Sequence, residues 1–212
     1  MTAKTTTRQN TSHAVMAQRA EPKDSLDYFP TPPWGTRALM EHVLKAGASW
    51  KSLSCLEPAC GEGHMARALS EYFKTVYAAD IFDYGGNTVD DFLSQGYYTG
   101  VDWTITNPPF RLAEQFIHKA LEDAKVGVAM LCRSQFDEGK GRYERLFRDN
   151  PPTVEAVFVE RLPMVRGRLD RKASTATSYS WFVWRKGLGR ECQKIWIPPC
   201  RKQLERDSDY AQ

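Results

Sequence analysis

The sequence predicts an α/β fold in which helices cover both faces of a mostly parallel β-sheet. Short apolar runs that are typical of strands alternate with helical apolar patterns from Leu53 onward, and this alternation favours a parallel sheet. A glycine-containing turn joins the first of these runs to the first helical pattern. The chain of 212 residues, 42% of them hydrophobic, is long enough to bury the core of one domain.

The individual elements follow from the apolar patterns in chain order. Short apolar or β-branched runs predict strands, and apolar residues at helical spacing predict helices. The predicted strands cover residues 53–59, 75–81, 101–106, 126–132, 154–159 and 179–184. The predicted helices cover residues 64–73 and 112–124, and a short helix contains residues 143–147. We expect the last two strands to pair at one edge of the sheet.

We expect one domain between two tails. Residues 1–24 are rich in threonine, serine and charged residues and have no apolar period, which predicts a disordered basic tail, with an organelle transit peptide as the alternative. Residues 25–200 are expected to form the domain, and residues 201–212 a C-terminal tail. No apolar run approaches the roughly 20 residues that cross a bilayer. The expected protein is therefore cytoplasmic and has no membrane partner.

The cysteine and histidine residues are too scattered to predict a metal site. The five cysteines form no C-x-x-C pair, so neither a zinc knuckle nor a disulfide framework is indicated. The four histidines are also far apart in the sequence. We therefore predict that the protein binds no metal.

A glycine-containing motif, Glu57-Pro58-Ala59-Cys60-Gly61-Glu62-Gly63, lies between the first strand and the first helix. Gly61, Gly63 and Ala66 fit the pattern G-x-G-x-x-A, in which glycines let the backbone turn tightly and approach a nucleotide-like ligand. Asp80 ends the second predicted strand, where a carboxylate can accept hydrogen bonds from ribose hydroxyls. The pattern alone does not separate a nicotinamide cofactor from S-adenosylmethionine, or either from a plain tight turn.

The tetrapeptide Asn107-Pro108-Pro109-Phe110 follows directly on the third predicted strand. Ligands of open α/β sheets bind at the carboxyl ends of strands, so the tetrapeptide should lie beside the cofactor. The prolines stiffen a turn that offers two oxygen acceptors, from the Asn107 side chain and the Pro108 carbonyl. Two fixed acceptors suit an amino group, and Phe110 offers a stacking face for a base. The alternative is a Pro-Pro loop that only ends a strand.

These two motifs resemble those of the class I adenine-N6 methyltransferases, and the chain is most similar to small, phage-type DNA adenine methyltransferases. The resemblance covers roughly residues 27–184. It implies a seven-stranded Rossmann-like sheet, S-adenosylmethionine as the cofactor, and methyl transfer to the N6 amino group of adenine in DNA. The implied catalytic residues are Asn107, Pro108, Pro109 and Phe110.

The resemblance also implies cofactor and substrate contacts beyond the two motifs. Thr31 matches a Thr-Pro motif that helps to hold the methionine end of the cofactor. Asp91 and Phe92 match an Asp-Phe motif that contacts the cofactor adenine, although Asp91 could instead be a surface acid. Trp181 lies in a segment that helps to clamp the target base, but it could instead be a core residue. The implied cofactor-binding residues are Thr31, Glu57, Pro58, Ala59, Gly61, Gly63, Asp80, Asp91 and Phe92.

A basic segment, residues 161–172, precedes the last predicted strand. It carries five basic residues against Asp170 alone, and such a segment can neutralise phosphates. We predict that Arg166, Arg168 and Arg171 contact a nucleic-acid backbone, the alternative being a solvated surface loop. Only about a hundred residues follow Phe110, so we expect no large target-recognition domain and no strict sequence specificity.

The predicted partner is a nucleic acid, and DNA is favoured over RNA. The same tetrapeptide geometry would serve an adenine methyltransferase that acts on RNA. A protein glutamine methyltransferase is a third interpretation, because an amide also presents an NH2 group, but that family usually carries tyrosine at the position of Phe110. A nicotinamide dehydrogenase would leave residues 107–110 unexplained, and a catalytically inactive nucleic-acid binder is the last alternative.

Overall fold

An eight-stranded β-sheet organises the protein. The computed structural model describes residues 27–94 and 98–211. The strands are, in chain order, β1 Ser54–Glu57, β2 Thr75–Asp80, β3 Thr88–Val89, β4 Trp103–Thr106, β5 Gly127–Arg133, β6 Val154–Phe158, β7 Tyr179–Arg185 and β8 Gln193–Ile197. Within these residues they lie in the order β3-β2-β1-β4-β5-β7-β6-β8, and all neighbouring pairs are parallel except the two that include β7. The other strands therefore end at one common edge of the sheet.

Helices lie on both faces of this sheet. They are α1 Pro33–Ala38, α2 His64–Leu69, α3 Ala113–Asp123, α4 Lys140–Arg142 and α5 Arg201–Leu204. The π-helical turns Leu39–Val43 and Tyr143–Phe147 extend α1 and α4. Short 3-10 turns occupy Ala48–Ser52, Ser134–Asp137 and Asp207–Tyr210.

Two apolar layers hold the helices on the sheet. On one face, α1 and α2 bury residues such as Trp34 and Leu69, and α5 adds Leu204. On the other face, α3 buries Phe116 and Ile117, because its apolar residues recur at helical spacing. The predicted α/β class, with a mostly parallel sheet between two helical layers, is confirmed.

The number of strands differs from the expected seven. Both residues of β3 are exposed, so no apolar run marks this strand in the sequence. Ile197 is the buried residue of β8, which pairs with β6 on the outer side of the sheet. β6 and β7 pair as expected, but β8, rather than this pair, forms the edge.

The segment predicted as a C-terminal tail packs against α1. Arg37 is 3% exposed, and its guanidinium donates to the Leu204 carbonyl oxygen at 2.7 Å and pairs with Asp209 at 2.7 Å. Glu71 makes a second ion pair with Arg37 at 2.8 Å. The predicted disordered tail, residues 1–24, lies outside the described residues. None of the helices in the described part of the chain is long and apolar enough to span a membrane.

Candidate active site

A pocket opens at the point where the sheet reverses its winding. From β1 the chain continues to β2 on one side, and β4 and β5 follow on the other side. Ligands of open α/β sheets bind at such a switch point. Glu57 ends β1 and Asn107 follows β4, so both residues lie at this point. Nine of the predicted site residues line the pocket, namely Thr31, Glu57, Pro58, Ala59, Asp80, Asp91, Phe92, Asn107 and Pro109.

The turn after β1 requires glycine at two positions. Gly61 has a φ of 51° and Gly63 a φ of 78°, in the left-handed region that favours glycine. A Cβ atom on Gly61 would lie 2.2 Å from Cε2 of Tyr28, so a side chain there would displace a ring that lines the pocket. Both glycines therefore shape the turn, while residues 57–60 before them form the pocket wall.

The Asp80 carboxylate holds this glycine turn in place. Its Oδ2 accepts a hydrogen bond from the Gly61 N–H at 2.9 Å, and its Oδ1 accepts one from the Phe82 N–H at 3.1 Å. An ionised carboxylate has about four acceptor positions, so Asp80 keeps capacity for hydroxyl donors from a ligand. The ribose contact stays a prediction, and the structure adds a role in supporting the turn.

Glu57 is a buried carboxyl group with one oxygen atom unpaired. The residue is 2% exposed, and Oε2 has no hydrogen-bond partner within the described residues. Burial raises the pKa of Glu57 well above its ordinary value, and the charge of nearby Asp80 raises that pKa further. A cationic group bound in the pocket would stabilise the ionised carboxylate and oppose this shift.

The side-chain amide of Asn107 is oriented through its nitrogen atom. Nδ2 donates to the Phe29 carbonyl oxygen at 2.9 Å and lies 3.6 Å from the Met164 sulfur. Only the NH2 group of an amide can donate to a carbonyl, so the position of Oδ1 is fixed as well. Oδ1 is buried and has no partner among residues 27–94 and 98–211, which leaves an acceptor in the pocket wall.

The Phe110 ring is more covered than the sequence suggested. It packs against Phe29 with ring centroids 5.4 Å apart, and the Cζ atom of Arg133 lies 4.8 Å from its centre. The backbone N–H of Phe110 donates to Oδ2 of Asp27 at 2.7 Å. Pro108, two residues earlier in the chain, is buried. A base that stacks on Phe110 has to share the ring with the Arg133 guanidinium or displace it.

Three residues from the cofactor motifs of the resembled family differ in exposure. Thr31 is buried, and its hydroxyl lies 3.8 Å from the Met164 sulfur. Phe92 is buried against Phe116, with ring centroids 5.0 Å apart. Asp91 is exposed, and its Oδ1 accepts a hydrogen bond from the backbone N–H two residues later at 3.0 Å. All three line the pocket, so a ligand can reach them.

Trp181 is a core residue, and the prediction that it contacts the substrate is wrong. The residue is 0% exposed, and its indole N–H donates to the Gly35 carbonyl oxygen at 3.2 Å. Its neighbour Phe182 is buried as well, because both faces of the sheet are covered at β7. Alternation along a strand leaves one side chain in solvent only where one face of the sheet is open.

The basic segment 161–172 lies between β6 and β7, as predicted, and borders the pocket. The Gly167 N–H donates to the Tyr28 carbonyl oxygen at 2.9 Å. Met164 contacts the side chains of Thr31 and Asn107. Arg166 therefore lies between two residues that attach the segment to the pocket wall.

Arg168 and Arg171, which the sequence predicts to bind phosphate, form ion pairs with acids that the sequence did not indicate. Arg168 pairs with Asp170 at 3.1 Å, within the segment. Arg171 pairs with Asp207 at 2.7 Å and with Glu205 at 3.4 Å. Asp207 stands 36 positions later in the chain than Arg171. The charge around the segment therefore could not be deduced from residues 161–172 alone. A phosphate would have to compete with these ion pairs.

Tyr84, which lines the pocket, and Arg133, which contacts the Phe110 ring, were not predicted as site residues from the sequence. Tyr84, whose ring lies 4.9 Å from that of Tyr28, is in an irregular segment, and burial raises its pKa to about 12. Arg133 is the charged residue that ends the otherwise apolar β5, a signal that could have identified it.

Within the described part of the chain, no three His, Cys, Asp or Glu residues are grouped as metal ligands.

Known proteins resemble this chain in structure rather than in sequence. No family model and no curated protein matches the sequence. A candidate class I S-adenosylmethionine-dependent methyltransferase from Listeria monocytogenes superposes with a TM-score of 0.59 and 13% identity, over 81% of this chain and 66% of that one.

Two further solved structures have the same fold. A candidate type I restriction enzyme modification subunit from Vibrio vulnificus gives a TM-score of 0.59 and 12% identity, over 87% of this chain and 50% of that one. A candidate RNA methyltransferase from Pyrococcus horikoshii gives 0.57 and 17% identity, over 82% of this chain and 96% of that one. The chain therefore has the Rossmann-like fold of class I methyltransferases, although it spans only part of the first two proteins.

Proposed function

We propose that this protein transfers a methyl group from S-adenosylmethionine to the N6 amino group of adenine in DNA. The proposal is carried by the unpaired Asn107 Oδ1 in the pocket wall. As the exocyclic amine attacks the methyl carbon, the bond from that carbon to sulfur breaks, S-adenosylhomocysteine leaves, and the methylated amine releases one proton to solvent. During the attack the nitrogen lone pair has to leave conjugation with the ring. Hydrogen bonds from the amine to Asn107 Oδ1 and to the Pro108 carbonyl oxygen favour that geometry.

The pocket suits a cofactor that carries a positive charge and a ribose. S-adenosylmethionine supplies an electrophilic methyl group on a positively charged sulfur. Glu57 favours a cation because its buried Oε2 is unpaired, and Asp80 can accept ribose hydroxyls beside the glycine turn. Thr31, Asp91 and Phe92 line the same pocket, which supports the proposal of a cofactor site there.

Orientation is the main contribution that the protein makes to the proposed reaction. The amine is itself the nucleophile, so no covalent enzyme intermediate is needed. Correct placement of two reacting groups can contribute about 7–11 kcal/mol. In duplex DNA the target adenine has to leave the base stack before it reaches Asn107, at a cost of a few kcal/mol.

DNA is the proposed acceptor, and RNA is the second candidate. The solved structures with this fold include one named as a restriction enzyme modification subunit and one named as an RNA methyltransferase. The resemblance to small, phage-type enzymes favours DNA. The glutamine methyltransferase interpretation is less favoured, because Phe110 stands where that family usually has tyrosine.

A panel of acceptors tests the proposed function. The protein is incubated with S-adenosylmethionine labelled in its methyl group and, in separate reactions, with unmethylated duplex DNA, single-stranded DNA, RNA or protein. We expect label in DNA. Label in RNA alone would replace DNA by RNA as the substrate, and label in protein alone would overturn the proposal of a nucleic-acid methyltransferase.

A further inference from the structure

Arg133 is a cation at the candidate site that no sequence motif assigns. It ends β5, where its side chain is exposed and the other six residues are buried. β5 lies parallel to β4, so Arg133 and Asn107 stand at the carboxyl ends of neighbouring strands. One positive charge is thereby placed at the edge where the proposed acceptor amine binds.

Two aromatic residues hold the Arg133 side chain beside the Asn-Pro-Pro-Phe turn. Its Cζ atom lies 4.8 Å from the centre of the Phe110 ring. It also forms a side-chain hydrogen bond with Tyr179, the residue opposite it in β7. A guanidinium has five N–H donors, so these contacts orient the group and leave donors for an anion.

Two arginines of the basic segment 161–172 are held in a different way. Arg168 and Arg171 form ion pairs with carboxylates, and an incoming phosphate would have to compete with those acids. The ring of Phe110 and the hydroxyl of Tyr179, which contact Arg133, are uncharged. Binding a phosphate would therefore give Arg133 a charged partner without breaking an ion pair with either residue.

We propose that Arg133 binds the phosphate next to the target adenine and so positions that base against Asn107. The inference rests on the proposed function and assigns Arg133 as a positioning residue that contacts the nucleic-acid backbone. A guanidinium can bond two phosphate oxygens at once. Movement of the guanidinium from the Phe110 ring to a phosphate would also uncover the ring for the base.

The salt dependence of DNA binding tests this role. Affinity for a short duplex of mixed sequence is measured over a range of salt concentrations for the wild type, Arg133→Met and Arg133→Lys. Arg133→Met keeps most of the apolar stem, whereas Arg133→Lys keeps the charge. We expect Arg133→Met to reduce the slope of log affinity against log salt by about 0.9, the value for one phosphate contact on duplex DNA. Arg133→Lys should keep the wild-type slope.

Arg148→Met is the matched control. Arg148 has an exposed side chain and pairs with Asp149, and it precedes β6, at the opposite edge of the sheet from Arg133. The control should keep the wild-type slope. S-adenosylmethionine affinity and Tm, measured for each variant, establish that the variants are folded.

Three results would overturn the role of Arg133. They are an unchanged slope in Arg133→Met, an equal reduction in Arg148→Met, and a reduction in Arg133→Lys as large as that in Arg133→Met. The last result would assign the effect to packing on Phe110. If the wild type methylates DNA and any of these results is found, the inference about Arg133 fails alone. If the wild type methylates no nucleic acid, the proposed function fails and the inference fails with it.

Discussion

Two unpaired oxygen atoms give the pocket its chemical character at the scale of single residues. Oδ1 of Asn107 and Oε2 of Glu57 are both buried without a hydrogen-bond partner in the described part of the chain, and such groups are uncommon unless a ligand or water completes them. The Asn107 amide oxygen suits a neutral N–H donor, and the Glu57 carboxyl group suits a cation. A methyl transfer from a cationic donor to an amine would supply both of these groups.

Replacing Asn107 by alanine should nearly abolish methyl transfer. The variant lacks the oxygen that accepts a hydrogen bond from the target amine, and loss of one positioned polar group in an active site lowers turnover by about 100- to 1,000-fold. Cofactor affinity should stay close to wild type. Single-turnover rates and calorimetry measure the two quantities. Asn150→Ala, at an exposed position, is the matched control, and near-normal turnover of Asn107→Ala would remove Asn107 from the mechanism.

Replacing Asp80 by alanine should weaken S-adenosylmethionine binding by about ten- to a hundredfold, because a hydrogen bond to a charged acceptor contributes about 1.5–3 kcal/mol. Part of the loss will come from the glycine turn, since Asp80 also accepts the Gly61 N–H. Calorimetry gives the dissociation constant. Asp83→Ala, in the exposed segment after β2, should bind like the wild type, and an unchanged affinity in Asp80→Ala would contradict the assignment.

S-adenosylmethionine binding should strengthen as pH rises, because of Glu57. The pKa of Glu57 in the free protein is raised well above its ordinary value by burial, so the neutral carboxyl is favoured below that raised pKa. A cationic ligand favours the carboxylate, so binding releases a proton and affinity rises with pH until Glu57 ionises in the free protein. Calorimetry in buffers of different ionisation enthalpy detects the released proton. Glu57→Gln should bind more weakly and release none, and wild-type proton release from the variant would exclude Glu57 as the source.

At the scale of elements, the C-terminal segment braces two parts of the fold. Asp209 pairs with Arg37 of α1, and Asp207 pairs with Arg171 of the basic segment beside the pocket. The first pair has almost fully buried side chains, whereas the Asp207 side chain is 91% exposed. One short segment is thus fixed to a helix by a buried contact and to the basic segment by an exposed one.

Asp209→Ala should lower the free energy of unfolding by about 1.5–3 kcal/mol, the typical contribution of hydrogen bonds between charged groups. Arg37 would remain buried with one carboxylate fewer, and little solvent would be available to screen it. Asp207→Ala is the matched control, because exposed ion pairs contribute about 0–1 kcal/mol. Denaturant unfolding measures both variants, and a loss no larger in Asp209→Ala than in the control would contradict the buried role.

Helices and strands with a strong apolar pattern could be predicted from the sequence, whereas helices and strands without such a pattern could not. β5 is almost wholly buried and α3 has one buried stripe, so both are visible in the sequence. All six residues of α1 are buried, so it shows no apolar stripe, and α5 has only four residues, too few for a periodic pattern. Both are stabilised by contacts with distant residues. β3 and β8 are mostly exposed edge strands; β3 carries no apolar run, and the run of β8, Ile195 to Ile197, is only three residues long.

The candidate site also contains features that could be predicted from the sequence and features that could not. Glu57, Asp80 and Asn107 could be predicted to lie together, because strand ends and motif spacing fix their positions. The covering of Phe110 by Arg133 depends on a neighbouring strand, and the burial of Trp181 depends on both faces of the sheet being covered. Contacts between residues that are far apart in the sequence leave no signal in the local sequence pattern, so these two features could not be predicted.

At the scale of the whole molecule, the functional side chains form a row along one edge of the sheet. β2, β1, β4 and β5 lie side by side in that order. They place Asp80, Glu57, Asn107 and Arg133 in a line at their carboxyl ends. In the proposed function these residues contact, in turn, the cofactor ribose, the cationic group of the cofactor, the target amine and a nucleic-acid phosphate. The proposal therefore puts the cofactor on one side of Asn107 and the nucleic-acid backbone on the other.

Identification of the methylated nucleoside tests the central claim most directly. Unmethylated duplex DNA is incubated with the protein and S-adenosylmethionine that carries a deuterated methyl group, then digested to nucleosides and analysed by mass spectrometry. We predict deuterated N6-methyldeoxyadenosine with the wild type and almost none with Asn107→Ala. Label on another nucleoside, an equal yield from Asn107→Ala, or no labelled nucleoside from a protein that binds the cofactor would contradict the claim.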